Sequence, residues 1–305
     1  MIGHITDPSA EAGLDRRDLP EPSPSSIDVV VEVHAYAINR GELSLLQQRP
    51  NGWMPGQDIA GVVVKAAADG SGPKPGTRVV GAADQGGWSQ RVPVQSYRVA
   101  AIPDNVSFAD ASSLPVAGLT AIRALRAGGP LLGRRVLVTG ASGGVGIFAV
   151  QLAAIAGAHV TAHVSGPHRV DAVKALGVRD VITSFEGIGE RFDLILDGVG
   201  GPVLVDALHL VAPGGTVAAY GMAGGKKSEL AFTDFRGATN ARLMGFFVYM
   251  TDVTTFGQDL GFMARLIGEG RMKVPGPRRD WTETRQAIAM LRERDATGKV
   301  VLTVS

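Results

Sequence analysis

The sequence predicts an α/β protein in which a doubly wound parallel sheet is inserted into a smaller β domain. Short β-branched segments separated by turns fill the first third of the chain, and from about residue 115 apolar strands alternate with helices. The alternation stops near residue 250, so we expect the C-terminal segment to return to the first domain. The chain has 305 residues, which is enough for two domains of about 100–200 residues each.

The first third is predicted to form a small barrel or sandwich, because its strands are short and strong turn signals separate them. Turn signals occur at residues 70–73 and 75–76, where glycine and proline cluster. Strands are expected at residues 29–33, 59–64, 78–80 and 90–94.

The middle of the chain is predicted to form a parallel sheet covered on both faces, because continuous apolar strands alternate with helices. Strands are expected at residues 136–139, 159–164, 180–183, 192–197, 216–220 and 243–248, and helices at residues 144–156, 167–176 and 202–211. Helices at residues 256–267 and 282–292 and a strand at 300–304 follow without this alternation. The predicted domains are residues 1–114 together with 251–305, and the inserted residues 115–250.

Composition excludes several classes of function. Thirty Lys and Arg residues balance 29 Asp and Glu residues, so the chain lacks the electrostatic footprint of a nucleic-acid or acidic-membrane binder. The absence of cysteine excludes disulfides, iron–sulfur clusters, Cys-ligated zinc and cysteine nucleophiles. The six histidines show no metal-ligand spacing, so no metal site is expected. Residues 1–18 lack the apolar core of a signal peptide and no apolar run reaches 18 residues, so we expect a soluble, cytoplasmic protein.

A glycine-rich turn at residues 135–146 is the most informative segment. An apolar strand runs into Gly140, Gly143, Gly144 and Gly146 and then directly into a helix. Small residues let the backbone approach a pyrophosphate, and the amides at the helix start point toward it. The strand–turn–helix context therefore predicts dinucleotide binding.

A serine hydrolase is the alternative at this turn. Residues 140–144 also match G-x-S-x-G, with Ser142 as nucleophile and Asp197 and His209 following in the required order. However, His209 lies in an apolar helical stretch, and the hydrolase motif gives no reason for Gly146. We therefore favour the dinucleotide interpretation.

The second strand of the inserted domain indicates NADPH rather than NADH. An NAD site needs a carboxylate at the end of this strand to bond the ribose 2′-hydroxyl, and no Asp or Glu occurs before Asp171. Ser165 and Arg169 lie there instead, and a guanidinium can bond two oxygens of a 2′-phosphate. The alternative is that Arg169 is an ordinary solvated residue.

Several motifs together resemble the medium-chain dehydrogenase/reductase superfamily, in particular its zinc-independent quinone oxidoreductase and enoyl reductase branch. They are residues 56–64 (GQDIAGVVV), 75–79 (PGTRV), 114–121 (LPVAGLTA), 141–146 (ASGGVG), 193–201 and 298–302 (GKVVL). The resemblance implies a GroES-like β-barrel catalytic domain enclosing a Rossmann domain. Zinc-dependent members carry a cysteine near residues 37–39 and Gly-His-Glu where this chain has Gly-Gln-Asp at residues 56–58, so the resemblance implies no zinc.

The resemblance also implies the roles of individual residues. Asn39 is expected near the nicotinamide as the catalytic cleft residue, and a homodimer is expected through the strand at residues 243–248. Cofactor contacts are expected from Asn39, Thr120, Ser142, Gly143, Gly144, Val145, Phe247 and Lys299, in addition to Ser165 and Arg169. The alternative for Phe246 and Phe247 is that they fill the core, and Lys299 has a structural alternative as well.

The expected chemistry is reduction of a quinone or a conjugated C=C bond by hydride from NADPH. Without zinc, the negative charge that develops must be delocalised in the substrate and stabilised by a hydrogen bond from Asn39 or water. The proton is expected from solvent, with Tyr36, Tyr220 and Tyr249 as weaker candidates, and Asp58 is interpreted as a structural residue that bonds loop amides. The alternative function is an NADPH-binding sensor without turnover.

Overall fold

The computed structural model describes residues 1–305, apart from the side chain of residue 11. The chain divides into a first unit, Met1–Leu119 with Tyr249–Ser305, and a second unit, Thr120–Val248. The strands are β1 (Ile2–Thr6), β2 (Leu14–Asp18), β3 (Asp28–Ile38), β4 (Asp58–Lys65), β5 (Arg78–Ala82), β6 (Arg91–Gln95), β7 (Val99–Ala101), β8 (Arg135–Thr139), β9 (His159–His163), β10 (Asp180–Ile182), β11 (Phe192–Asp197), β12 (Val211–Ala219), β13 (Arg242–Gly245), β14 (Arg278–Asp280) and β15 (Val300–Thr303). The α-helices are α1 (Arg40–Gln48), α2 (Phe108–Ala111), α3 (Pro115–Ala127), α4 (Gly144–Ile155), α5 (Val170–Lys174), α6 (Gly201–Leu208), α7 (Phe256–Gly268) and α8 (Thr284–Arg292).

The first unit is built around a seven-stranded sheet. Its strands lie in the order β14-β15-β3-β4-β5-β7, and β6 also pairs with β3. The long strand β3 is central because its β-branched residues alternate between the two faces, and Val29, Val31 and Val33 enter the core with Trp88. The C-terminal strand β15 pairs antiparallel with β3, so the end of the chain lies in this unit.

The second unit is a parallel sheet of six strands in the order β10-β9-β8-β11-β12-β13. The direction of the chain across this sheet reverses between β8 and β11, which is the switch point of a doubly wound fold. Helix α4 is almost wholly apolar and eight of its residues are buried. The predicted fold class is confirmed.

Several predicted elements have different bounds. The strand expected at residues 243–248 begins at Arg242 and ends at Gly245, and a short 3-10 helix follows at Val248–Met250. The helix expected at residues 167–176 is divided into a 3-10 turn and the short helix α5. The predicted helix at residues 202–211 ends at Leu208, because Val211 already begins β12.

The charged N-terminal segment forms an antiparallel hairpin of β1 and β2 that sequence patterns did not indicate. It is held to the first unit by backbone hydrogen bonds, including His4 N to Trp88 O at 2.9 Å and Thr6 N to Trp53 O at 2.8 Å. Within the described residues, no helix has both the length and the apolar character needed to cross a membrane.

Candidate active site

Three strands of the first unit bring distant polar residues together. In the sheet register Ile38 lies opposite Val300 and Ala37 lies opposite Asp58. Asn39 and Lys299 each lie one position beyond this pairing, at adjacent strand ends. The register therefore places Asn39, Asp58 and Lys299 side by side, although they are far apart in sequence.

Asn39 lies between the end of β3 and the start of helix α1. It is the N-cap residue, and its backbone amide donates to Glu42 Oε2 at 2.7 Å, which satisfies one of the free amides at the helix start. The other carboxylate oxygen of Glu42 accepts from the backbone amide of Gln57 at 3.0 Å. Glu42 therefore fixes the turn at Asn39 against the residue that precedes Asp58.

The buried Lys299 ammonium contacts both Asn39 and Asp58. Nζ donates to Asn39 Oδ1 at 2.6 Å and to Asp58 Oδ2 at 2.8 Å. The Lys299 side chain is 2% exposed and that of Asp58 is fully buried, so water screens this ion pair very little. Asp58 Oδ1 also accepts from the backbone amide of Val116 at 2.8 Å, near the start of α3. The interpretation of Asp58 as a residue that bonds backbone amides is correct but incomplete.

The chemistry of the neighbours fixes the orientation of the Asn39 carboxamide. Its Nδ2 donates to Asp58 Oδ2 at 2.8 Å, and a longer contact of 3.4 Å joins Nδ2 to Glu42 Oε2. An ammonium only donates and a carboxylate only accepts, so Oδ1 must face Lys299 and Nδ2 must face Asp58.

If Glu42 were ionised, the cluster would hold two carboxylates, Glu42 and Asp58, against the single Lys299 ammonium. Burial, together with the nearby Asp58 carboxylate, raises the pKa of Glu42 to about 8. This shift favours the protonated form of Glu42 in the folded protein near neutral pH. Sequence reasoning did not single out Glu42, although its place three residues after Asn39 is a recognisable capping signal.

The three tyrosines considered as proton donors all hold their protons more tightly than usual. Burial raises the pKa of Tyr36, whose hydroxyl lies 2.6 Å from Thr284 Oγ1. Desolvation of the hydroxyl likewise raises the pKa of Tyr220 and of Tyr249, and the Asp58 carboxylate adds to the shift at Tyr249. The Tyr249 side chain as a whole is 37% exposed, so its shift is the weaker evidence of the two. A raised pKa makes each of them a weaker acid, which favours solvent as the source of the proton.

In the second unit, the glycine-rich turn joins β8 to α4. Gly140 has a φ of 62°, and a Cβ on Gly146 would lie 2.4 Å from the Gly140 carbonyl oxygen. Only glycine fits at position 146, because the first turn of the helix packs directly on the preceding strand end. Gly143 is the N-cap of α4, and Gly144 and Val145 form its first turn. The Gly143 amide donates to Gly140 O at 2.9 Å, whereas the amides of Gly144 and Val145 have no acceptor within the helix and can bond an anion.

Two predicted cofactor residues meet beside this turn. Arg169 Nη1 donates to Ser142 Oγ at 3.4 Å, although the two residues lie on different loops. Ser142 is 4% exposed and Arg169 is half-buried. Ser165 is exposed just after β9, the strand whose end was predicted to read the ribose.

The remaining predicted residues differ in exposure. Thr120 is 6% exposed within α3. Phe246 is 8% exposed and Phe247 is 71% exposed, so the core interpretation holds for Phe246 and does not hold for Phe247.

A buried carboxylate links the ends of β8 and β11. Asp197 Oδ1 accepts from Thr139 Oγ1 at 2.5 Å, and Oδ2 accepts from the backbone amide of Gly200 at 2.9 Å. Burial raises the pKa of Asp197, and these donors oppose that shift. Asp197 thus connects the end of β8 to the loop that follows β11, at the carboxyl edge of the parallel sheet.

The arrangement does not form a hydrolase triad. His209 Nε2 lies 3.1 Å from Asp234 Oδ1, and the His209 side chain is 50% exposed. No hydrogen bond described for residues 1–305 joins His209 to Ser142 or to Asp197. The serine hydrolase interpretation is therefore not supported.

Family models match both parts of the chain. The alcohol dehydrogenase GroES-like domain matches residues 25–104, and the zinc-binding dehydrogenase family matches residues 144–265. A probable mitochondrial zinc-binding oxidoreductase of Arthroderma benhamiae is 32% identical over 235 residues, which cover 69% of this chain and 70% of that protein. The chain belongs to the medium-chain dehydrogenase/reductase superfamily, in its quinone oxidoreductase-like branch.

Other relatives in this superfamily are longer than the matched region. A chloroplastic quinone-oxidoreductase of Triphysaria versicolor is 36% identical over 195 residues, or 56% of this chain and 56% of that protein. The chain spans 12% of the spectinabilin polyketide synthase system protein NorB of Streptomyces orinoci, with 35% identity over 82% of this chain. A solved Escherichia coli quinone oxidoreductase complexed with NADPH has the same fold, with a TM-score of 0.88, 21% identity and coverage of 99% of this chain and 100% of that one.

A metal site is not formed by the residues that the structure describes. Among them, no group of three or more His, Cys, Asp or Glu side chains is placed to hold a metal ion. In the Asn39 cluster the Asp58 carboxylate is already bonded to the Lys299 ammonium, and a fixed positive charge there opposes a second cation. The donor set does not fit the zinc that the name of the matched family suggests.

Proposed function

We propose that this chain is an NADPH-dependent oxidoreductase that reduces a quinone or a conjugated C=C bond by hydride transfer, without zinc. The observation that carries the proposal is the glycine turn in which Arg169 is hydrogen-bonded to Ser142. It places a guanidinium beside the amides at the start of α4, and both kinds of group bind phosphates. The NADPH in the E. coli protein of the same fold supports it.

The second unit has residues suited to each part of the cofactor. Backbone amides of Ser142, Gly144 and Val145, and that of Gly143 in exchange for its bond to Gly140 O, would hold the pyrophosphate, as helix starts do for phosphates generally. Ser165 and Arg169 would bond the 2′-phosphate that distinguishes NADPH from NADH, and Arg169 also contacts Ser142 Oγ. Thr120 and the exposed Phe247 are the other proposed cofactor contacts in this unit. Bound NADPH supplies a hydride from its nicotinamide ring, and the protein orients it.

Asn39 is the proposed catalytic residue of the first unit. Reduction of a quinone or enone places negative charge on an oxygen, and a fixed N–H donor stabilises that charge as it develops. An isolated carbonyl would need a stronger electrophile than an amide N–H, so the site favours acceptors that delocalise the charge. The name of the Triphysaria versicolor relative agrees with this substrate class.

We also propose a homodimer formed through β13. This strand is one of the two edges of the parallel sheet, and an edge strand presents unpaired amide and carbonyl groups to a second copy. Light scattering coupled to size-exclusion chromatography tests this, and a monomer over the whole range of loading concentrations would contradict it.

The test of the proposed function is a fluorescence titration with NADPH and, in parallel, NADH. The acceptors 9,10-phenanthrenequinone and then 2-cyclohexen-1-one are added to the NADPH sample, and oxidation is followed by absorbance. We expect tighter binding of NADPH than of NADH and oxidation with either acceptor. Binding without oxidation by any acceptor would favour a sensor, and oxidation of simple alcohols with NADP⁺ in place of these reactions would contradict the substrate class.

A further inference from the structure

The carboxamide oxygen of Asn39 is occupied by a hydrogen bond from the buried Lys299 ammonium. Asn39 Oδ1 is bonded to Lys299 Nζ at 2.6 Å, and Lys299 is 2% exposed. The same ammonium bonds Asp58 Oδ2 at 2.8 Å, and Asp58 in turn accepts one Nδ2 hydrogen of Asn39, also at 2.8 Å. Each of the three side chains is therefore hydrogen-bonded to the other two.

The nitrogen of the same amide makes one short hydrogen bond and one long contact. The nitrogen of a primary amide carries two hydrogens, and Asp58 takes one of them at short range. The nearest described acceptor for the other is Glu42 Oε2 at 3.4 Å, which is a weak contact. Asn39 itself is half-buried, whereas Lys299 and Asp58 lie beneath the surface.

We propose that Lys299 and Asp58 are a positioning pair that holds Asn39 as a hydrogen-bond donor, and that the site thereby selects acceptors whose oxygen gains negative charge. This inference rests on the proposed function and deepens it. A flipped amide would direct its oxygen at the Asp58 carboxylate and its N–H groups at the Lys299 ammonium. Both contacts would be repulsive, so the pair permits one orientation.

The chemical consequence is a preference for reduction over alcohol oxidation. When hydride passes from NADPH to carbon of a quinone or enone, a C–H bond forms, NADP⁺ is produced, and the electron pair displaced from the conjugated system collects on oxygen. The Asn39 N–H stabilises that oxyanion until water supplies the proton. Oxidation of an alcohol needs a group that accepts the hydroxyl proton. Asn39 Oδ1 already accepts a hydrogen bond from the Lys299 ammonium, and the ammonium itself can accept no proton.

The resemblance to the superfamily assigned Lys299 to the cofactor, and the two roles are separable by experiment. The double variant Lys299→Met/Asp58→Asn removes both charges together, so no unpaired charge remains buried. Lys65→Met/Asp104→Asn is the matched control, because both of these side chains are exposed. We expect the double variant to lower kcat for phenanthrenequinone about 10–100-fold, since a misplaced donor loses part of its transition-state stabilisation. The Kd for NADPH and the KM for the quinone should stay within about 2-fold, because neither charge binds these molecules.

A second readout does not depend on turnover. The sequence contains four asparagines, so selective ¹⁵N-asparagine labelling of the wild type gives four side-chain amide pairs. The double variant gives a fifth pair from the new amide at position 58, so Asn39→Ser is made in both backgrounds to identify the pair of Asn39. In the wild type we expect the Asn39 amide hydrogens to exchange slowly with solvent, and in the double variant to exchange at least about 10-fold faster, because the bonds that hold the amide are lost.

The outcomes separate the two proposals. An unchanged kcat, an unchanged Asn39 amide signal, or an NADPH Kd weakened about 10-fold or more in the double variant would each overturn the positioning role. A wild type that shows the slowly exchanging Asn39 amide and binds NADPH, yet reduces no acceptor, would overturn the proposed function and the substrate preference. That result would still support the pair as the group that orients Asn39.

Discussion

Lys299 Nζ lies 2.8 Å from Asp58 Oδ2, although 241 positions separate the two residues in the sequence. The contact joins the strand that closes the chain to a strand formed near its beginning, and both side chains are almost completely buried. Such a pair adds little net stability over an apolar pair, but removal of one partner leaves an uncompensated charge in the interior. The same two buried side chains bond Asn39, so a substitution that removes one charge should both displace Asn39 and destabilise the first unit.

The single substitution Lys299→Met should be more destabilising than the double substitution with Asp58→Asn. The single variant buries an unpaired carboxylate, for which we expect a loss of about 3–5 kcal/mol in the free energy of unfolding. The double variant keeps an amide oxygen for the Val116 amide and carries no charge, so it should lose less. Urea denaturation followed by tryptophan fluorescence measures this, because all three tryptophans, at positions 53, 88 and 281, lie in the first unit. Equal losses in the two variants would show that the pair does not act as one unit.

Arg169→Ala should weaken NADPH binding much more than NADH binding. A guanidinium bonded to a phosphate contributes about 1.5–3 kcal/mol, which corresponds to about 10–100-fold in Kd. NADH lacks the 2′-phosphate, so its Kd should change little. Arg179→Ala is the control, because Arg179 is exposed in the same unit. If Arg169→Ala changed both affinities equally, the residue would not read the 2′-phosphate.

Gly146→Ala should disrupt the glycine turn. The added methyl group would lie 2.4 Å from the Gly140 oxygen and 2.6 Å from Ala141 Cα, both of them backbone atoms that cannot rotate away. We expect a loss of about 1–3 kcal/mol in stability, as overpacking usually costs, and a weaker affinity for NADPH. Gly189→Ala is the matched control, because a Cβ there meets nothing within 4 Å. Differential scanning calorimetry and the NADPH titration measure both effects, and a variant that behaves like the control would disprove the close packing.

The sequence predicts the parallel sheet better than it predicts the Asn39 cluster. The strand Phe192–Asp197 has its predicted bounds because Phe192 and the apolar run at residues 194–196 are flanked by turns, which is local information. The contact of Lys299 with Asp58 depends on the register of β15, β3 and β4, and no local pattern specifies a register between strands so far apart. The strand predicted to extend to residue 248 ends at Gly245, because tertiary context outweighs the apolar character of Phe246 and Phe247.

Acid should destabilise the first unit through His4. This residue lies on the N-terminal hairpin, is 5% exposed, and contacts Thr284 Oγ1 through Nε2 at 3.3 Å. Burial lowers the pKa of His4 to about 4, and the cations of Arg16 and Arg285 add to the shift while Asp15 opposes it. The unfolded chain therefore binds more protons than the folded protein between pH 6.5 and 4, so stability falls as pH decreases through that range.

The His4 contribution can be isolated as a difference between variants. At about 1.4 kcal/mol per pKa unit, the wild type should lose about 3 kcal/mol at this site between pH 6.5 and 4, and His4→Gln should not lose it. Urea midpoints from tryptophan fluorescence, converted to free energies at each pH, give this difference directly, since other acid-sensitive groups are common to both proteins. His159→Gln is the control, because His159 is exposed on β9 in the second unit. If the stability difference between wild type and His4→Gln were constant from pH 7 to 4, the hairpin would not be held by a neutral, buried imidazole.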